Sequence, residues 1–226
     1  MGLFGIRWPV YAGTAHGRIM MACSELRDWT MASRATGLLT RNPWVARRPL
    51  TVADYHRMGE VGILTERDRV ELIEGELIAM SPIGSEHAGA VNALNRRLVQ
   101  VVGEQGVVAV QNPVRLDDLS EPQPDFAVLK PRPDDYRKAT PRPEEVLLII
   151  EVADSSLSYD RSVKRSLYAR HGIPEFWIVN LTAGEVEVCR APSGDSYASV
   201  SHVGRDGTLE PELLPGVAIP VAVLLG

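Results

Sequence analysis

"VLLIIEVADSSLSYDRSVKRSLYARHGIPEFWIVN", residues 146–180, contains an apolar run, a helical segment and a second apolar run in succession. The first run, 146–153, is the most apolar in the chain, which predicts a buried strand in the middle of a sheet. We expect the next segment to form a helix that begins at Asp160 and ends at Gly172, since glycine commonly follows the last helical residue. The stretch therefore predicts a strand, a helix and a further strand over 175–181.

Shorter signals on either side extend this prediction along the chain. Thr51, with Asp54 three residues later, resembles a capping box and predicts a helix, and Gly75 predicts a tight hairpin turn. The remaining predicted elements are hairpin strands at 70–73 and 77–80, a helix capped by Ser85, strands at 107–111, 126–130 and 185–190, and one or two peripheral strands within 197–203 and 216–225. This order indicates an α/β or α+β fold with a mixed central sheet.

The composition limits the class of protein. The chain has 226 residues, 45% of them hydrophobic, and a formal net charge of −5. This content suffices for one domain with a substantial core, and the acidic balance argues against a protein that coats DNA through an overall basic surface. Cys23 and Cys189 have no metal-ligand spacing, and no apolar run is long enough to cross a membrane. We therefore expect a soluble, cytoplasmic protein.

Residues 1–45 differ from the rest of the chain because they lack sustained hydrophobic periodicity. Met20, Met21 and Met31 are each a candidate translation start. We therefore predict two segments: an N-terminal extension over 1–45 that is either poorly ordered or wrongly included in the chain, and a single domain over 46–226.

Four charged residues lie where a charge is costly or unusual. Glu151 follows five apolar residues, Asp125 directly precedes the strand 126–130, Glu71 lies in the first hairpin strand, and Lys164 lies in the helix after Glu151. Two carboxylates at neighbouring strand ends repel each other unless a cation compensates them. Mg²⁺ prefers such oxygen ligands, and a nearby lysine can stabilise charge on a phosphodiester. The combination is typical of a hydrolytic phosphodiesterase centre.

Each of these residues also has an ordinary structural interpretation. Asp125 can accept backbone N–H groups at a turn, and Glu151 can form an ion pair with Arg161 or Lys164. Lys164 can equally be a solvated helix residue, and Glu71 can face water in an alternating strand. No single residue decides between the two interpretations.

Two further polar residues are interpreted as structural. Asp160 is most simply the N-cap of its helix. His87 lies near a predicted helix start, where a surface or capping residue is more typical than a ligand.

Three stretches together resemble the Uma-two family of restriction endonucleases, within the PD-(D/E)XK nuclease superfamily. They are "VELIEGELIAMSPIGSEH", "PDFAVLK" and the stretch 146–180 quoted above, and the resemblance extends over residues 49 to 190 in consistent order. It implies a restriction-endonuclease-like fold, in which helices flank a mixed central sheet and the active site lies at one end of that sheet.

The resemblance also implies the roles of the charged residues. Asp125 and Glu151 match the two acids that bind a divalent metal, Mg²⁺ or alternatively Mn²⁺. The superfamily usually carries its lysine two residues after the second acid, where this chain has Ala153. In this family the lysine comes from the following helix, which matches Lys164, and Glu71 matches a hairpin acid. The usual serine-proline after the second acid is "ADSS" here, so the loop over the site is expected to differ.

We therefore hypothesise a Mg²⁺-dependent DNA endonuclease, in which a homodimer would place two such sites across a DNA duplex. Asp125 and Glu151 would hold the metal, Lys164 would position the nucleophile and Glu71 would assist. Basic residues of the same helix would contact the DNA backbone, namely Arg161, Lys164, Arg165 and Arg170. The alternative is a catalytically inactive relative that keeps the fold and acts as a nucleic-acid-binding or regulatory module.

Overall fold

The computed structural model describes residues 48–65, 67–82 and 84–225. The N-terminal extension predicted over residues 1–45 lies outside this described part. The predictions for the domain that follows it can be compared with the structure element by element.

A six-stranded mixed sheet forms the centre of the described domain. In spatial order its strands are β3 (Val107–Val110), β4 (Phe126–Leu129), β5 (Val146–Ala153), β6 (Glu175–Asn180), β7 (Glu185–Ser193) and β8 (Ser196–Gly204). β5 and β6 pair in parallel, and the other neighbours pair antiparallel. The prediction of a mixed sheet with the 146–153 strand in its middle is confirmed.

The other elements lie around this sheet. They are α1 (Val52–Glu60), the hairpin strands β1 (Val70–Ile73) and β2 (Glu76–Ala79), α2 (Ser85–Val102), the short strands β9 (Thr208–Leu209) and β10 (Ile219–Pro220), and α4 (Val221–Leu225). The helix between β5 and β6 consists of three consecutive segments, Leu157–Tyr159, Asp160–Lys164 and Arg165–Arg170, which we call α3 together. Its middle segment is wound as a π-helix.

Both faces of β5 are buried, which explains its nearly continuous apolar sequence. Leu148, Ile150 and Val152 belong to the core cluster that also contains Leu94 and Leu98 of α2. Ile149 and Ala153 of β5 point to the other face, where they belong to a second cluster. That cluster also contains Leu167 and Tyr168 of α3 and Phe176 of β6. Glu151 has the same parity as Ile149 and Ala153, so its side chain points to the α3 side of the sheet.

The predicted start of the helix after β5 is wrong. The helix begins at Leu157, and Asp160 lies inside it, where its carboxylate accepts a hydrogen bond from the hydroxyl of Ser156 at 2.7 Å. Asp160 is therefore not an N-cap. A sequence pattern based on the α-helical period does not reveal a π-helical turn, and an interior aspartate resembles a cap in sequence.

The C-terminal prediction is also partly wrong. Residues 216–225 were expected to form a peripheral strand, but only Ile219–Pro220 do so, and Val221–Leu225 form a helix. Pro220 cannot donate a backbone hydrogen bond to a neighbouring strand, which limits the length of this strand. At the other end of the domain, the capping box of Thr51 and Asp54 is present as predicted, whereas α2 is capped by Gly84 and not by Ser85.

Within the described residues, none of the helices combines the length and the apolar content that a membrane crossing requires.

Two glycine substitutions test the hairpin geometry. Gly75 has a φ of 78°, and a Cβ added there would collide with Cβ of Pro49. We therefore expect Gly75→Ala to lower the free energy of unfolding by about 1–2 kcal/mol or more. The matched control is Gly89→Ala in α2, where an added Cβ meets no atom within 4 Å. It should raise that free energy by about 0.5–1 kcal/mol. Chemical denaturation measures both, and an equal effect of the two changes would contradict the assignment.

Candidate active site

The register of β4 and β5 brings two carboxylates together. Phe126 pairs with Ile150, so Asp125, just before β4, lies beside Glu151. The backbone N–H of Asp125 donates to Oε2 of Glu151 at 3.3 Å, and the backbone N–H of Val152 donates to Oδ2 of Asp125 at 2.8 Å. These two hydrogen bonds join Asp125 to β5. Asp125 is therefore not explained by hydrogen bonds within a local turn alone.

Lys164 lies at the same place, inside the protein. Its Nζ is 2.9 Å from Oε2 of Glu71 and 3.0 Å from Oε1 of Glu151, and only 4% of the residue is exposed. The alternative interpretation of Lys164 as a solvated helix residue is therefore excluded. The π-helical segment ends at Lys164, and such irregular turns are frequent at functional sites.

Glu71 completes this group from the hairpin. It is 2% exposed, which excludes the interpretation that it faces water. Besides Lys164, its carboxylate accepts hydrogen bonds from the backbone N–H of Gln123 at 3.1 Å and from the hydroxyl of Tyr159 at 3.3 Å. The structure thus brings all four predicted site residues into one buried cluster, although they are far apart in sequence.

The sequence interpretation missed other residues of the cluster. His87 Nε2 is 3.0 Å from Oδ1 of Asp125, and the side-chain amide of Gln111 donates to the same oxygen at 3.2 Å. Asp160 is buried beside them and lines the same cavity. His87 lies four residues before the buried Val91, so it continues the apolar stripe of α2. This spacing was a signal that His87 faces inward.

Tyr168 is the second buried hydroxyl in the cluster. It donates a hydrogen bond to Oε1 of Glu151 at 2.8 Å, and it is fully buried. Its spacing of four residues from Lys164 puts both side chains on one helix face. Lys164 and Tyr168 therefore hold the same carboxylate oxygen.

Burial and charge act in opposite directions on the two acids. Burial raises the pKa of Glu151 to about 8. The positive charge of Lys164 acts to lower this pKa, and the negative charges of Asp160, Asp125 and Glu71 act to raise it. Burial also acts to raise the pKa of Asp125, but the hydrogen bond and charge of His87 and the N–H of Val152 outweigh it and lower that pKa below its ordinary value.

The cation of the cluster is held in its charged form. Burial alone would lower the pKa of Lys164, but the charges of Glu151 and Glu71 and their hydrogen bonds raise it well above its ordinary value. The pKa of His87 is raised too, chiefly by its hydrogen bond to Asp125, in spite of burial. Both groups are therefore polarised by the carboxylates that they contact.

The donor set fits a hard divalent cation. Asp125, Glu151, Glu71 and Asp160 place four carboxyl groups around Lys164, so acid groups outnumber the ammonium. Each carboxylate oxygen has two lone pairs that can bind a metal. The carboxylates of Asp125 and Glu151 lie side by side at one end of the sheet. Oxygen ligands of this kind suit Mg²⁺ and Mn²⁺. A cavity of about 340 Å³, lined by the four predicted residues and by His87, gives access to this end.

A different group of side chains also has metal-like spacing. The ligand atoms of Glu185, Glu187 and His202 lie within 4.8 Å of one another on β7 and β8. Glu187, however, is ion-paired with Arg161, and His202 is 3.0 Å from Glu185. This group is separate from the cluster around Lys164, and its contacts are explained by ion pairs.

Two of the three arginines predicted to contact a DNA backbone have acidic partners within the protein. Arg161 pairs with Glu187, and Arg170 pairs with Glu74 and Asp195. The basic face expected on this helix is therefore largely neutralised.

Comparison with known proteins agrees with these observations. The model of the Uma2 family, described as "Putative restriction endonuclease", matches residues 52–222 and confirms the resemblance found in the sequence. A crystal structure described as a putative nuclease belonging to DUF820, from Anabaena variabilis ATCC 29413, is similar in fold, with a TM-score of 0.63. The sequence identity is 17%, and the similarity covers 78% of this chain and 98% of that chain. A comparison with curated proteins gives no match.

The buried Asp160 generates a prediction about pH. Burial raises its pKa from 3.8 to about 6, against the hydrogen bond from Ser156. Between these values the folded protein binds a proton that the unfolded chain lacks, so this group lowers the free energy of unfolding as the pH rises. Asn cannot ionise. We therefore expect the free energy of unfolding of the Asp160→Asn variant, compared with that of wild type, to increase by about 1–3 kcal/mol as the pH rises from about 4 to about 7.

Urea unfolding in EDTA measures this difference. The matched control is Asp206→Asn, which neutralises an exposed aspartate of the loop after β8. Its difference from wild type should not change with pH. A constant difference for Asp160→Asn as well would show that Asp160 ionises normally in the folded protein.

Proposed function

This chain belongs to the Uma2 family, and we propose from that premise that it is a Mg²⁺-dependent DNA endonuclease that hydrolyses phosphodiester bonds. The observation that carries the proposal is the buried ion-pair cluster, in which Lys164 lies between Glu151 and Glu71, and Asp125 donates a backbone hydrogen bond to Glu151. Burying these charges is costly unless they are paired. A cluster that opens into a cavity therefore favours a chemical role.

Asp125 and Glu151 would hold the cation. Bound there, Mg²⁺ or Mn²⁺ supplies a Lewis acid that polarises a phosphoryl oxygen and lowers the pKa of a bound water. His87 and Gln111 donate to Oδ1 of Asp125, and these contacts orient the carboxylate, as outer-shell partners of metal ligands commonly do.

Lys164 would act on the reacting phosphate. Its ammonium has three N–H donors, and Glu71 and Glu151 accept two of them. The third donor is available to orient a nucleophilic water or to stabilise negative charge on the phosphate. Its raised pKa keeps the group charged throughout the physiological range.

Glu71 and the two tyrosines would position the reacting groups. Glu71 holds Lys164 from the hairpin, while Tyr159 and Tyr168 donate to Glu71 and Glu151 respectively. In this proposal Glu71 assists by fixing the ammonium and does not itself bind the metal. A homodimer would place two such centres across a DNA duplex.

One observation favours the alternative of a non-catalytic nucleic-acid-binding module. Every oxygen of Asp125 and Glu151 already accepts a hydrogen bond within the protein. A metal on Oδ1 of Asp125 or Oε1 of Glu151 must therefore compete with His87, Lys164 or Tyr168, whereas Oδ2 and Oε2 each accept one backbone N–H. Wild-type protein that binds DNA and does not cleave it with any metal would support this alternative.

Cleavage assays test the metal site. We expect wild type to cut plasmid or oligonucleotide DNA with Mg²⁺ or Mn²⁺ and not in EDTA. Asp125→Asn and Glu151→Gln should each lose at least about 100-fold in rate, because a charge that holds the Lewis acid is removed. Asp206→Asn and Glu104→Gln are matched changes at exposed positions and should retain wild-type rates. Cleavage that persists in EDTA, or in both acid variants, would disprove the proposed site.

The lysine needs a test that separates folding from chemistry. Lys164→Met leaves Glu71 and Glu151 buried without their cation, so we expect it to cost about 3–5 kcal/mol of stability and to abolish cleavage. The double variant Lys164→Met with Glu71→Gln should recover part of that stability, measured by thermal unfolding, without recovering cleavage. Lys138→Met, a control at an exposed lysine, should change neither property. A folded double variant that cleaves at the wild-type rate would remove Lys164 from the mechanism.

A further inference from the structure

A second, larger cavity lies next to the candidate active site, between α1 and the β1–β2 hairpin. Its volume is about 930 Å³, and its lining includes Tyr55 and His56 of α1. Arg69, Met80 and Gln123 line both this cavity and the catalytic one. The two cavities are therefore adjacent, and we call the larger one the α1 cleft.

Strand β1 separates the two cavities. Successive residues of a strand point to opposite faces: Val70 lines the α1 cleft and Glu71 lines the catalytic cavity. Gln123 connects them, since its backbone N–H donates to Oε2 of Glu71 while its side chain interacts with the hydroxyl of Tyr55. A ligand in the α1 cleft would therefore lie directly beside the catalytic cluster.

A buried carboxylate in the wall of the cleft lacks a donor. Glu121 is 2% exposed, and its Oε1 is 2.7 Å from Nε2 of His56. Its Oε2 is buried and has no hydrogen-bond partner among the described residues. A buried acceptor without a partner costs about 1–3 kcal/mol. Glu121 lines the cleft as a residue, and a ligand with an N–H or O–H group would complete this oxygen once the side chain turns toward the cleft.

The unpaired oxygen belongs to the pair formed by His56 and Glu121. The pair offers one carboxylate and one imidazole that are already hydrogen-bonded to each other. A neutral hydrogen-bond donor therefore suits Oε2 better than a cation.

We propose that the α1 cleft binds a nucleobase of the substrate, next to the scissile phosphate, and that Glu121 accepts a hydrogen bond from the amino group of that base. The inference rests on the proposed function. An ionised carboxylate only accepts hydrogen bonds. Cytosine, adenine and guanine offer amino donors, whereas an unpaired thymine offers only its N3–H, which lies between two carbonyls that a carboxylate repels. The cleft therefore favours amino bases over thymine.

The lining of the cleft suits the flat face of a base. The rings of Tyr55 and His56 lie side by side, with centroids 5.9 Å apart, and 48% of the His56 side chain is exposed. Aromatic side chains are the common stacking surface for unpaired bases. On the loop beside the cleft, Val61 and Ile63 are exposed by 50% and 65%. Exposed aliphatic side chains in such a place can pack against bases.

Binding of single-stranded probes by the full chain tests the proposal without cleavage. Fluorescence anisotropy in EDTA at fixed low salt compares labelled oligo(dC) and oligo(dT) of equal length. We expect wild type to bind oligo(dC) about 5- to 100-fold more tightly, the range for one discriminating base contact. Glu121→Gln keeps the shape and adds an N–H donor that suits thymine carbonyls. It should reduce this ratio to about one or reverse it.

Two further variants separate base reading from folding and from charge. Glu104→Gln makes the same charge change at an exposed residue outside the cleft, and it should keep the wild-type ratio. His56→Ala, at a half-exposed side chain, should weaken both probes about 5-fold or more through lost stacking. Equal binding of both probes by wild type, or an unchanged ratio in a Glu121→Gln variant, would overturn the proposal.

The result is independent of the catalytic assay. A Glu121-dependent preference without cleavage would retain the base cleft and reject the endonuclease. Cleavage with no base preference in binding would retain the endonuclease and reject the base cleft.

Discussion

The buried ammonium of Lys164 is the interaction on which the geometry of the site depends. A charge that is 4% exposed requires partners, and Lys164 has two, Glu71 on β1 and Glu151 on β5. These three residues come from the hairpin, the central sheet and the helix that crosses between two parallel strands. Removing Lys164 leaves both carboxylates buried without their cation, and its two ion pairs link the three elements.

The sheet determines which side of the molecule carries this charge. In β5 the residues alternate between two apolar clusters, and Glu151 replaces an apolar residue on the α3 side. The antiparallel register with β4 then places Asp125 beside it. On α3, the π-helical segment ends at Lys164, and Tyr168 follows one turn later. The acids are thus fixed by strand pairing, and the lysine by a local irregularity of a helix.

Much of the fold could be predicted because its signals are local. The apolar run 146–153, the Gly75 turn and the capping box of Thr51 and Asp54 each depend on neighbouring residues, and the structure contains all three. The burial of Glu71 and the inward orientation of His87 depend on which elements pack together. Strand alternation made a water-facing Glu71 equally acceptable, since the cation that compensates it lies 93 positions away in sequence.

The position of β1 gives the site its division into two parts. One side of this strand carries Glu71 toward the buried cluster around Lys164, and the other side faces the α1 cleft, which Glu121 also lines. Glu121 and Leu72 form an isolated bridge, so the segment that follows Leu119 is hydrogen-bonded to the hairpin. The same segment continues through Gln123 to Asp125. A ligand that satisfies Glu121 would therefore bind four residues along the chain from Asp125, the acid that we propose as a metal ligand.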